Sequence, residues 1–117
     1  MSIETQLVAL LKPLCPRVRP LRGEEGMPTP YVVYQVIGGE SINALDNSLP
    51  GQRRVLMQVA VWSKTLGESQ ALGNAIEAAM RSTTHFTAQP SGEAIPMDEP
   101  HTGLYGQIQR FSILGNR

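Results

Sequence analysis

The sequence is short of several things, and each shortage narrows what the chain can be. It has one cysteine, Cys15, so no disulfide can staple it internally. That suits a reducing compartment, or a fold that needs no cross-link. Aromatic residues make up only 5%, so aliphatic side chains must build the core. Neither sign of charge is in excess, because ten Lys and Arg balance ten Asp and Glu. A protein that neutralises many phosphates carries a basic surplus, so sequence-specific nucleic acid is not an expected partner. Long apolar runs are missing too: nothing approaches the ~18 consecutive residues of a membrane-spanning helix, and no membrane partner is expected. Near the N-terminus, the apolar stretch Leu7 to Leu11 has no basic segment before it and meets Lys12 and Pro13. A secretory signal is therefore not expected.

What is present is globular. Hydrophobic residues are 41% and charged residues 17% of the 117, a composition and length that suit a single domain over 1–117. Nine prolines and eleven glycines fall mainly between periodic segments and punctuate the chain. Ser2 can cap a helix that carries Glu4 in its first turn. Ile3, Leu7, Leu10, Leu11 and Leu14 then form one apolar stripe, ended by Pro13 and Pro16. Residues 16–30 read as a proline-rich loop with a short extended piece at Arg17 to Leu21.

Tyr31 to Ile37 is strand-like, with Gly38-Gly39 as its end. Arg54 to Trp62 is the clearest strand: Val55, Met57, Val59 and Val61 share one face, while Leu56 and Trp62 are apolar exceptions on the other. Thr65-Leu66-Gly67-Glu68 fits a capping box, opening a helix to about Arg81 with Leu72, Ile76, Ala79 and Met80 inward. Short strands are expected near Phe86 to Gln89 and Ala94 to Met97. In the last strand, Leu104 to Leu114, the apolar set switches parity, which a bulge or a change of partner near Gln107 to Gln109 would accommodate. The expected fold is α+β: an antiparallel sheet of about four strands, with two helices packed on one face.

The residue types that do chemistry are sparse. Asp98, Glu99 and His101 form the most suggestive group, and an alternative function is a small ligand-binding or catalytic domain using that loop. Asp98-x-x-His101 supplies two ligands where a metal needs three or four, and His85 has no partner at ligand spacing. Cys15 lies between prolines with no histidine near it in sequence. No glycine loop leads into a Lys-Ser/Thr helix start. No catalytic residue, cofactor or metal is expected. The segment Glu40 to Gln52 is long for an unstructured loop and carries Ile42, Leu45 and Leu49. Those three either fold back on the domain's own core or project as an arm to a neighbouring subunit.

Four stretches together resemble one family. They are the helix and proline-broken loop Leu7 to Arg22; Pro30-Tyr31-Val32-Val33-Tyr34-Gln35; Val55-Leu56-Met57-Gln58-Val59-Ala60-Val61-Trp62 running into the Ala-rich helix; and Thr102-Gly103-Leu104-Tyr105. In order and spacing they are similar to the tail-completion proteins of long-tailed bacteriophages, although His101 and Gly106 stand where that family tends to show an acid and a base. The resemblance implies a tail-terminator-like fold and a structural, non-enzymatic role in a phage or prophage virion. It implies a protein that ends tail-tube growth and joins the tail to the head connector, working as a ring of six. The implied partners are its own copies, the tail-tube protein and the head–tail connector protein. The implied location is the virion tail, reached from the host cytoplasm during assembly.

Overall fold

A computed structural model describes residues 1–42, 45–46 and 49–117. The element order is α1 (Ile3–Leu11), β1 (Val18–Pro20), β2 (Tyr31–Glu40), β3 (Gln52–Ser63), α2 (Leu66–Ser82), β4 (Thr87–Pro90), β5 (Ile95–Glu99) and β6 (Leu104–Asn116). The α+β class is as expected, but the sheet has six strands and is mixed. Its order is β1-β2-β3-β6-β4, with β5 also on β6.

The parallel member is β1, which runs alongside β2 with Val18 opposite Val32 and Pro20 opposite Tyr34. Three residues are too few for a periodic signal, so this strand is set by tertiary pairing: the Val32 N–H donates to the Arg17 carbonyl and the Leu21 N–H to the Tyr34 carbonyl. The short rim strands share one further trait, a proline in each: Pro20, Pro90 and Pro96.

β3 is the axis of the sheet. It pairs antiparallel with β2 on one side and with β6 on the other, the latter unbroken from Gln52–Asn116 to Ser63–Tyr105. No bulge interrupts the β3–β6 ladder. The edge partner of β6 does change, from β5 at Leu104–Ile108 to β4 at Phe111–Leu114, but that does not turn the strand over; the parity switch reflects two apolar faces, with Phe111 and Ile113 toward the helices and Leu104 and Ile108 on the opposite side.

β2 also departs from expectation, since Gly38-Gly39 does not end it. The strand passes through a register shift between Val36 and Gly38 and continues to Glu40. Gly39 has φ +145, and a Cβ there would strike the backbone of Arg54 and Val55. Only glycine allows β2 so close to β3 at that point.

Both helices cover one face. Ile3, Leu7 and Leu11 of α1 and Ile76 and Met80 of α2 are buried with Val55, Met57, Val59, Val61, Phe111 and Ile113. Ser2 caps α1 through the Thr5 N–H, and Thr65 caps α2 through the Glu68 N–H at 3.2 Å. Leu10 only flanks the core and Leu14 is exposed, because the helix stops at Leu11 before its stripe is complete. In α2 the deepest line is Ser69, Gly73, Ile76 and Met80, rotated from the expected one. Gly73 sits there because a Cβ would meet the side-chain amide of Gln107 on β6.

Two polar ties fasten the helices to the sheet. Glu4 of α1 is ion-paired with Arg53 of β3. Gln109 Nε2 donates to Glu77 of α2 at 2.6 Å and to the Gly92 carbonyl at 3.1 Å. Arg81 Nε adds a bond to Glu77 at 3.0 Å. The hydrogen bonds from Gln109 and Arg81 hold the Glu77 carboxyl below its ordinary range. Partial burial raises the Glu4 carboxyl, but the Arg53 hydrogen bond and charge outweigh it, so its pKa lies below 4.5.

Val59 is 2% exposed at the centre of this packing. Val59→Asp buries a carboxylate without a partner, a cost of several kcal/mol that exceeds what most domains can lose. The expected result is an unfolded or insoluble chain by circular dichroism. The Glu4–Arg53 tie is partly exposed, so it contributes about 1 kcal/mol or less. With a lowered folded-state pKa, its contribution is present above pH 4.5 and lost as pH falls through the folded value. Glu4→Gln is expected to lower the melting temperature slightly at pH 7, and the difference from wild type to vanish in melts at progressively lower pH.

Candidate functional site

The helix face of the sheet is consumed by the core, so any site must lie elsewhere. Three places merit description: the tip of the β2–β3 hairpin, the helix-free face of the sheet, and the turn after β5.

Beyond Tyr34, β2 has left β1 and the helices behind, and every residue from Gln35 to Glu40 is exposed. The molecule measures 51 Å along its long axis, against 26 and 24 Å across. Glu40 and Gln52 belong to the strands, so the connection between them is 41–51 rather than the longer loop expected. Ile42 and Leu45 are exposed, Leu45 completely, and Leu49 is 76% exposed. None of the three joins the core cluster, so they do not fold back on the domain. At the base of the arm, Gly39, Glu40, Ile42, Leu49, Arg54 and Arg117 line an open concavity of about 620 Å³. Arg117 Nε donates to the Pro50 carbonyl at 3.0 Å, and its N–H to the Gly51 carbonyl. These bonds pin the C-terminus to the root of the arm.

The helix-free face carries an apolar surface of its own. Cross-strand register places Tyr31, Trp62, Gly106 and Met97 in one row and Val33, Ala60, Ile108 and Ile95 in the next. Side chains of residues opposite one another in a ladder share a face, so the two rows form a continuous patch. Gly106 leaves room for the Trp62 ring, which a Cβ would approach to 2.8 Å. A groove of about 300 Å³ runs over this face, bounded by Leu21, Arg22, Gln58, Glu99 and Thr102. Burial pushes the Tyr31 phenol above its ordinary pKa. Ile95 is 60% and Met97 40% exposed.

This patch was missed in reading the sequence, although two signals pointed at it. Leu56 and Trp62 break the polar face of β3, and Leu104, Ile108 and Leu114 form the second apolar parity of β6. Both describe a sheet that is apolar on both sides.

Asp98, Glu99 and His101 fall at the end of β5 and in the following turn. Asp98 is opposite Tyr105 and Glu99 opposite Leu104, so their side chains leave on opposite faces. Glu99 is occupied in shaping the turn: its carboxylate accepts from the His101 N–H at 3.0 Å and its carbonyl from the Gly103 N–H at 2.9 Å. Among the described residues there is no group of three or more His, Cys, Asp or Glu able to hold a metal, and no helix long and apolar enough to cross a membrane. Cys15 is buried against the Pro30 carbonyl, its Sγ at 3.3 Å.

Comparison with curated proteins returns no match. Comparison with family models matches residues 5–114 to the family described as tail completion protein gp17. The match runs from the first helix into the last strand and takes in the arm, both faces of the sheet and the turn after β5. The chain therefore belongs to the phage tail-completion protein gp17 family.

Proposed function

We propose that this protein ends growth of the tail tube and helps join the tail to the head connector, working as a closed ring of identical subunits, with six as the expected number. It would act through shape and contact, with no side chain making or breaking bonds, and would be assembled in the host cytoplasm into the virion tail. The observation that carries this reading is the family match over residues 5–114. The exposed leucines of the arm support it, since an isolated soluble domain gains nothing by holding Leu45 and Leu49 in water. A ring needs head-to-tail contacts between two different patches of one chain, and the zero net charge does not oppose close packing of copies.

The direct test is electron microscopy of particles made by the phage or prophage without this gene. The expected phenotype is tail tubes of uncontrolled length, or tails unattached to heads, restored by supplying the wild-type chain. Normal infectious particles would refute the reading. Leu45→Glu with Leu49→Glu should leave the circular dichroism spectrum and melting temperature within error of wild type, because neither side chain is in the core. The same double variant should fail to restore assembly. Loss of the folded spectrum would instead show that the two leucines support the domain.

A further inference from the structure

We propose that the segment Arg22 to Thr29 is a hinged strap that closes over the helix-free face of its own subunit, setting Arg22 against Glu99 and covering the Trp62 ring. Because β1 and β2 are parallel neighbours, the chain between them must run back along the sheet, from Pro20 beside Tyr34 to Tyr31. Its way back lies over the helix-free face. Leu21, Arg22 and Gly23 line the groove together with Tyr31, Val33 and Trp62, and a Cβ at Gly23 would strike the Tyr31 ring. On the far bank, beyond β3 and β6, stand Glu99 and Thr102. A second concavity, of about 840 Å³, lies between Gly23 to Thr29 and the residues Lys64, Thr102 and Leu104. The strap and the turn after β5 face one another across open space.

Both ends of the strap are fixed and its middle is free. At the first end the Leu21 N–H donates to the Tyr34 carbonyl at 2.8 Å; at the second the Pro30 carbonyl accepts from Arg17 Nε at 2.9 Å. Between them, among the described residues, the main-chain hydrogen bonds are local turns: the Arg22 N–H donates to the Pro20 carbonyl and the Met27 N–H to the Glu24 carbonyl. A segment tied so little to its domain is free to move at small cost. The Arg22 bond closes a three-residue turn centred on Leu21, which is held at φ 66. This is the rare, strained form of that turn, and Leu21 is 68% exposed while it adopts it. Swinging the strap about Leu21 returns the residue to negative φ, so closing releases strain where it begins.

Charge selects the closed position. Arg22 is exposed and, among the described residues, has no ion-pair partner. Glu99 is opposite Leu104, which puts its side chain on the same face as Ile108 and Trp62. One of its carboxylate oxygens accepts from the His101 N–H, leaving the other for Arg22. The second concavity repeats the match with the signs reversed: Glu25 on the strap shares its lining with Lys64, while Glu24 is engaged by Arg19 at 3.9 Å. The strap presents a cation and then an anion to a bank that presents an anion and then a cation. Closed, it takes Leu21 and the Trp62 ring out of water; open, it leaves the apolar rows of the face accessible. The strap is a property of the single subunit and does not depend on the ring reading.

The chain has one tryptophan, Trp62, so its fluorescence reports on the groove alone. Positions 22 and 102 lie on opposite banks, and a disulfide requires Cβ atoms about 4 Å apart. Arg22→Cys/Thr102→Cys can therefore oxidise internally only when the strap closes. Both side chains are exposed, and the buried Cys15 does not compete. At low protein concentration the expected product is a monomer with an internal disulfide, formed about tenfold faster than in Arg22→Cys/Gln70→Cys, whose second cysteine lies on α2 across the sheet. Acrylamide quenching of Trp62 should fall on oxidation and return on reduction. In the wild-type chain, salt should raise the quenching by screening the exposed pairs, and Arg22→Glu should raise it already at low salt. A disulfide no faster than the Gln70 control overturns the closure. One that leaves the quenching unchanged overturns the covering of Trp62. Quenching indifferent to both salt and Arg22→Glu overturns the pairing with Glu99, and these last measurements need no added cysteine, so they decide the matter even if the double variant misfolds.

Discussion

The structure depends on one strand, β3, being paired on both sides, along its whole length with β6 and from Arg54 to Trp62 with β2. β3 lends its alternation to everything around it: even-handed ladders with β2 and β6 carry the parity of Val55, Met57, Val59 and Val61 across the sheet. A slip of one residue would exchange the two faces. It would lift the helix-facing valines into the groove and set Trp62 beneath α2. The core, the groove and the direction of the arm are thus consequences of a single register, held by burial of the helix face.

Where the sequence was legible, the signal was local and repeated. The alternation in β3 and the caps at Ser2 and Thr65 are readable because each is encoded in a few neighbouring residues. β1 is different. It was legible as a short extended piece within Arg17 to Leu21, followed by a proline-rich loop, but three residues carry no period from which its parallel pairing with β2 could be read. The Gly38-Gly39 pair misled for a related reason. Glycines mark both strand ends and bulges, and only the proximity of the β3 backbone, at Arg54 and Val55, separates the two. The outer strands β4 and β5 were legible as short extended pieces, but their sharing of one edge of β6 end to end was not, because pairing within the sheet plane leaves no mark on the alternation of β6.

The candidate surfaces were half legible. Ile42, Leu45 and Leu49 stood out because they are apolar in a polar stretch. Their exposure, rather than return to the core, follows from the continuation of β2 and β3 well past the helices. The groove was hidden because its residues come from four strands and a loop, and a sheet face becomes a patch only when register aligns its rows. The turn at Asp98, Glu99 and His101 is the opposite case. Its residue types suggested chemistry, yet alternation sends the two carboxylates to opposite sides of β5, and Glu99 is used to close the turn.

The prolines of the rim strands bear on what the margins of the sheet offer to another strand. A protein that assembles from many copies risks zipping together by main-chain pairing, strand upon strand, into fibres that never close. Pro20, Pro90 and Pro96 each remove a backbone donor where the sheet would otherwise offer an open edge. An edge without proline remains on β2 from Gln35 to Glu40, beyond the residues that β1 covers. Addition of a further strand is thereby hindered along the rim strands and left open beside the arm.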